Sequence, residues 1–197
     1  MERGFKAYAT RLALDVRAEL GLAVLEPLDP WLLADHLEIG IDTVSSFRDE
    51  APRSRVLGGS ERAAFSAVTV LDGPRRRIVV NDFHSLSRQT NSIAHELSHG
   101  LLMHPPAPPF DPRTMLRIHV PVIEQEASYL GGALLVTEAA ALAVVANGYN
   151  IREAADHFGV SERLMRWRIN MTGAAKRIAR SRRPVPKAIR PGYSAVD

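Results

Sequence analysis

The residues best suited to chemistry are His95, Glu96 and His99, which lie in the run His-Glu-Leu-Ser-His. Apolar residues around this run recur at helical spacing, which predicts a helix. Residues four apart share one face of a helix, so both imidazoles reach one ion. Zinc accepts such nitrogens and lowers the pKa of its bound water toward about 7. The pattern therefore predicts a metallopeptidase zinc site in which Glu96 is the general base.

The composition limits what else can hold this ion. The 197 residues include no cysteine, which excludes disulfides, thiolate ligands and a cysteine nucleophile. A three-histidine site fails as well, because Leu102 and Pro105 stand where its glycine and last histidine would be. The third ligand is then a carboxylate on a following helix, with Glu124, Glu126 and Glu138 as candidates.

The helical face that contains Glu124 is the one best suited to approach the histidines. It continues through Ala127, Ser128 and Gly131, and small residues allow two helices to pack closely. A glycine inside a helix costs about 1 kcal/mol relative to alanine, which close packing would explain. Glu126 lies roughly 160° away from this face, so we expect it to be solvated.

The predicted elements that position these residues define an α+β fold. We expect a small antiparallel sheet packed on a helical, zincin-like core, followed by a helix-turn-helix-like helical segment. Asp72-Gly73 is a typical hairpin signal between two strands. The predicted elements are helices at Phe5–Leu20 and Trp31–Leu37, strands at Ile41–Phe47, Ala64–Leu71 and Arg76–Asn81, the metal-site helix ending before Pro105, and one long helix at Val122–Ala146.

The C-terminal third differs from the body in charge and pattern. Residues 163–197 contain ten Lys or Arg and one acid, about +9, and the other 162 residues sum to about −6. We predict a core at 1–147, a helix-turn-helix-like segment at 148–181 and an irregular basic tail at 182–197. Arg163, Arg166 and Arg168 are candidate nucleic-acid contacts. The favoured alternative is a helical hairpin that packs on the catalytic core.

The chain resembles ImmA/IrrE-type metallopeptidases over roughly residues 5–175. The segments that match are Ile78-Val79-Val80-Asn81, His84-Ser85, Arg88-Gln89, Ile93 to His99, Glu124 to Ala127, Leu134-Leu135 and Phe158 to Ser161. The resemblance implies a mixed α+β peptidase fold and a gluzincin-like Zn²⁺ site with Glu124 as the third ligand. It also implies a protein substrate, which in some members is a helix-turn-helix repressor. The alternative function is a DNA-binding regulator, or a toxin–antitoxin or mobile-element component, with weak or vestigial peptidase activity.

Ser128 is a departure from this family, which usually has Asn or Asp there. A hydroxyl orients a histidine ligand less well than a carboxylate does, so lower peptidase efficiency is expected. His104 and His119 flank a proline-rich loop, and with Tyr129 they are candidates for supporting the ligands or an oxyanion. The competing interpretations are surface-loop histidines and a core tyrosine.

No membrane segment is expected. The first ten residues contain no apolar signal core. The longest apolar-rich stretch, Leu130 to Ala146, is interrupted by Thr137 and Glu138 and is short for a membrane span. The sequence therefore predicts a cytoplasmic protein.

Overall fold

The computed structural model describes residues 1–47, 65–73, 75–105 and 120–181. These residues form eight α-helices and a three-stranded sheet, which confirms the α+β fold class. The helices are α1 (Phe5–Glu19), α2 (Pro30–His36), α3 (Leu86–Leu101), α4 (Pro121–Leu135), α5 (Glu138–Ala146), α6 (Ile151–His157), α7 (Glu162–Thr172) and α8 (Ala174–Arg180). The strands are β1 (Gly40–Thr43), β2 (Ala67–Asp72) and β3 (Arg75–Val80), and a 3-10 helix (Val44–Phe47) follows β1.

The sheet has the order β1-β3-β2 and is mixed, so the expectation of an antiparallel sheet is wrong in this detail. Strand β2 pairs antiparallel with β3 through a turn in which Gly73 has a φ of 59°. Strand β1 pairs parallel with β3, which the long connection between them permits. The predicted strand Arg76–Asn81 is thus central. The strands at the two edges of this sheet, as far as the structure describes it, are β1 and β2.

An ion pair fastens β1 to β3. Arg77 donates to both carboxylate oxygens of Asp42, at 2.7 Å and 2.6 Å. The hydrogen bond from Arg77 holds the pKa of Asp42 below its ordinary value. The strand predicted to reach Phe47 ends earlier, at Thr43, where the 3-10 helix begins.

The long helix predicted over Val122–Ala146 is two helices, α4 and α5, with an angle of 60° between them. Val136 is extended, and the side chain of Thr137 caps α5 by accepting from the amide of Ala140 at 3.0 Å. Within the described residues, no single helix is both long and apolar enough to cross a membrane. This bent pair meets that test of length and composition only when its two helices are taken together.

Helices α6 and α7 form the expected turn, in which Gly159 has a φ of 63° and Ser161 caps α7. Helices α7 and α8 pack on α5, and α7 also touches α4. Buried side chains from these helices belong to the same apolar core as α1, α3 and α4. The division at residue 147 remains a prediction, and the basic tail, 182–197, lies outside the described residues.

Candidate metal centre

His95 and His99 on α3 face Glu124 in the first turn of α4. The Nε2 atom of His95 lies 3.2 Å from Nε2 of His99 and 3.2 Å from Oε2 of Glu124. The Nε2 atom of His99 lies 3.7 Å from Oε1 of Glu124. One ligand atom from each residue falls within 4.8 Å of the other two. The structure therefore brings together the three residues that the sequence selects as metal ligands.

A close approach of the two helices makes this geometry possible. A Cβ atom added to Gly131 would lie 3.1 Å from the carbonyl oxygen of Ala94 and 3.2 Å from the amide nitrogen of His95. Such contacts leave almost no room for a side chain on this face of α4. The small residues one and two turns beyond Glu124 thus let α4 lie directly against the backbone that carries His95.

Glu96, the candidate base, is held by the neighbouring strand. Thr69 on β2 donates a hydrogen bond from Oγ1 to Oε2 of Glu96, at 2.6 Å. Strand β2 also packs on α3. The sequence did not single out Thr69, because nothing local links a strand residue to a helix 27 positions later.

His104 lies directly behind His99. Its Nδ1 atom is 3.0 Å from Nδ1 of His99, on the side of that ring away from the cluster. The interpretation of His104 as a surface-loop histidine is wrong, because this residue is only 9% exposed. Burial lowers the pKa of His104, and the nearby carboxylate of Glu126 opposes that shift.

Glu126 is also not solvated as expected. Its side chain is 16% exposed, and Oε2 lies 3.6 Å from Nε2 of His104. Glu126 lies on a different face of the helix from Glu124, as helical spacing predicts. The chain after α3 turns back and covers that face with His104, which the spacing along one helix does not predict. The other histidine near the proline-rich loop, His119, lies outside the described residues.

The remaining two candidates for supporting roles have different positions. Ser128 places its Oγ 3.3 Å from Nδ1 of His95, in an exposed setting. Tyr129 is buried, and its ring packs against Phe5 and Trp167. Because that ring belongs to the core between α1 and α7, the structure does not bring Tyr129 to the cluster.

The three candidate nucleic-acid contacts on α7 differ in their exposure to solvent. Arg163 is exposed, and Arg166 is exposed but paired with Glu162 at 3.1 Å. Arg168 is fully buried and donates from Nε to the carbonyl of Val136 at 2.9 Å. Burial lowers the pKa of its guanidinium group. The prediction that Arg168 contacts nucleic acid is therefore wrong, because its side chain does not reach the surface.

The type and number of the ligand atoms decide whether these residues suit a metal ion. Two imidazole nitrogens and one carboxylate oxygen converge from two helices, and Glu96, which follows the first histidine in the sequence, is hydrogen-bonded to Thr69. This is the ligand type and number of a catalytic zinc site that keeps its fourth position open. The residues fit a metal ion, and a site of this kind on an α+β fold is typical of metallopeptidases.

Comparison with known families agrees with this class. The sequence model of the Peptidase_M78 family, described as the IrrE N-terminal-like domain, matches residues 55–170. That range covers more than half of the 197 residues, and the chain belongs to this family. Comparison with curated proteins and with solved structures gives no significant match. The protein is therefore metallopeptidase-like, and its substrate is, in general terms, a protein.

Proposed function

We propose that the protein is an intracellular zinc-dependent endopeptidase, with His95, His99 and Glu124 as the metal ligands. The observation that carries this proposal is the convergence of their three ligand atoms within 4.8 Å. Two histidines and one carboxylate match the sites of several zinc peptidases. A zinc ion there would polarise the scissile carbonyl and lower the pKa of a bound water.

Glu96 is the residue that we propose as the general base. It follows His95 directly on α3 and is not one of the three residues of the ligand cluster. The hydroxyl of Thr69 donates a hydrogen bond to Oε2 of Glu96 at 2.6 Å, and this bond fixes the carboxylate. We propose that Glu96 takes the proton of the attacking water and later passes it to the leaving amine.

Strand β2 is suited to align the substrate. Among the described residues, β2 pairs with β3 along one of its two edges. The hydrogen bond from Thr69 brings β2 close to Glu96. An extended peptide that pairs with a sheet edge gains main-chain hydrogen bonds and presents its peptide bonds in a fixed register.

The family resemblance supports a helix-turn-helix transcriptional repressor as the substrate, which would place the enzyme in the cytoplasm. The alternative is a DNA-binding regulator with vestigial peptidase activity. Its support is weaker with Arg168 buried, and rests on the exposed Arg163 and the basic composition of the C-terminal third.

Metal analysis and cleavage test the proposal together. Purified protein should contain about one zinc per chain, and His95→Ala should lose it. Co-expression with repressors encoded nearby should show cleavage by the wild type and none by Glu96→Gln. The matched control is Glu153→Gln, an exposed carboxylate on α6, which should cleave normally. Absence of zinc, or cleavage that persists in Glu96→Gln, would contradict the proposal.

A further inference from the structure

The turn that ends α3 aims His104 back at the metal-site helix. The amide of His104 donates to the carbonyl of His99 at 3.0 Å, and the amide of Met103 donates to that of Gly100 at 2.9 Å. Met103 takes the left-handed conformation, with a φ of 54°. This reversal, typical of a helix C-terminus, returns the chain over the last turn. His104 is thus placed by backbone hydrogen bonds rather than by a free loop.

The positions of the protons on the two imidazoles follow from the atoms that face each other. The Nε2 atom of His99 points into the cluster, 3.2 Å from Nε2 of His95. A neutral imidazole that binds a metal through Nε2 carries its proton on Nδ1. The Nδ1 atom of His99 must then be the donor in the 3.0 Å contact, and Nδ1 of His104 the acceptor.

Glu126 contacts the other ring nitrogen of His104. If Nδ1 of His104 accepts, its ring proton is on Nε2. That nitrogen faces Oε2 of Glu126 at 3.6 Å, and a carboxylate favours the tautomer that presents a proton to it. The side chains of His104 and Glu126 are 10% and 16% exposed, so water screens this chain of contacts only weakly.

We infer that His104 and Glu126 form a positioning relay for the metal centre, in which Glu126 fixes the tautomer of His104 and His104 orients His99. Groups that hold the outer nitrogen of a ligating histidine set its ring orientation and basicity. Neither relay residue belongs to the three-residue ligand cluster. The inference rests on the proposed function, because it assumes that His99 binds the metal through Nε2.

The two histidine ligands are supported unequally. Behind His95 stands the hydroxyl of Ser128, which is exposed to solvent at 3.3 Å from Nδ1. Behind His99 lies His104, and behind His104 lies Glu126, and both of these side chains are largely buried. The relay therefore orients His99 firmly, whereas Ser128 holds His95 only weakly. Its loss should weaken metal binding more than the loss of the Ser128 hydroxyl.

Variants of similar shape separate orientation from packing. Asparagine in place of His104 keeps an acceptor oxygen on the same carbon that carries Nδ1, whereas leucine of similar size has none. Glutamine in place of Glu126 likewise keeps an acceptor, and leucine removes it. The measurement is the zinc dissociation constant by chelator competition at about pH 8, where a free histidine is neutral. Circular dichroism and melting of the metal-free proteins report on folding.

We expect His104→Leu to weaken zinc binding by roughly 10–100-fold. Glu126→Leu should weaken it less, and His104→Asn and Glu126→Gln should stay within about threefold of the wild type by keeping their acceptors. Ser128→Ala should cost less than His104→Leu. Zinc affinity unchanged in His104→Leu, or equal losses in His104→Leu and His104→Asn with both folded, would overturn the relay.

Nitrogen-15 spectra of the imidazoles in zinc-loaded wild type provide a test that needs no variant. They should show the ring proton of His99 on Nδ1 and that of His104 on Nε2, and the opposite tautomer of His104 would overturn the relay. Wild-type protein that binds no zinc would contradict the proposed function itself. Failure of the relay in protein that binds zinc leaves the proposed function intact.

Discussion

The contact between Gly131 and the backbone of α3 gives the sharpest test of how the metal centre is built. Alanine at this position adds one methyl group, which would lie 3.1 Å from the carbonyl oxygen of Ala94 and 3.2 Å from both the Ala94 carbonyl carbon and the His95 amide. All three are backbone atoms, so no side chain can rotate away. The two helices must separate by a few tenths of an ångström, at the residue that carries the first ligand.

Two opposing effects set the size of the change in stability. Overpacking a tight contact costs typically about 1–3 kcal/mol. Replacing glycine by alanine inside a helix returns about 0.5–1 kcal/mol. We therefore expect Gly131→Ala to lose up to about 2.5 kcal/mol of folding free energy, as the difference of these ranges. Because the displacement falls on His95, zinc affinity should fall by about tenfold, or roughly 1.4 kcal/mol.

Gly132→Ala is the matched control, on the same helix and one residue away. Its methyl group would meet side chains of α7, at 2.5 Å from Cζ3 of Trp167 and 3.0 Å from Cδ of Arg168. It should lower the melting temperature without a selective loss of zinc affinity. The assays are thermal melting of metal-free protein and zinc titration against a chelator. Equal zinc affinity in Gly131→Ala and wild type would refute the claim that this close approach builds the site.

Three further predictions concern other parts of the molecule. Thr69→Val should lower kcat by roughly tenfold with little change in zinc content, because a loosely held base loses its productive geometry. Thr69→Ser keeps the hydroxyl and should retain most of the activity. Equal rates for the two variants would argue against the positioning of Glu96 by Thr69. The pKa of Asp42 is lower in the folded than in the unfolded protein, where it is about 3.9. The ion pair with Arg77 therefore stabilises the fold at pH values above the unfolded pKa, and this stabilisation is lost as the pH falls through the folded pKa. Denaturant unfolding should therefore show wild type and Asp42→Asn converging as pH falls below about 4, whereas a constant gap would contradict the role of Arg77. In a gel shift, binding by the exposed Arg163 face should be sequence-independent and vanish at moderate salt, and salt-resistant, sequence-specific binding would instead favour a DNA-binding regulator.

The elements with local signals could be predicted from the sequence. Helical spacing and Pro105 predicted α3, and Asp72-Gly73 predicted the β2–β3 hairpin. The parallel pairing of β1 was missed, because it depends on a long connection rather than on the strand itself. The break between α4 and α5 was missed because Leu134, Leu135 and Val136 are all buried. A run that is apolar on every side shows no change of face at a bend.

The same division holds within the candidate site. The i, i+4 spacing selected His95 and His99 because it is a local geometric rule, and the small residues after Glu124 supplied the close approach that the structure shows. The positions of Thr69 and Glu126 relative to the site depend on tertiary packing of β2 and of the turn after α3. Spacing along one helix therefore predicts ligands on that helix, but not the groups that other elements place behind them.

Two buried arginines, one on the N-terminal helix α1 and one on the C-terminal helix α7, hold the end of α4 that lies away from Glu124. Arg17 of α1 donates to the carbonyl of Leu134 at 2.8 Å, and Arg168 of α7 donates to that of Val136 at 2.9 Å. Both carbonyls lie where α4 ends and would otherwise be unpaired inside the protein. A cation at a helix C-terminus is also favoured by the helix dipole. The bend after α4 is thereby fixed from two sides. Because α4 carries Glu124 at its other end, the helix-turn-helix-like segment acts as a structural support of the candidate site.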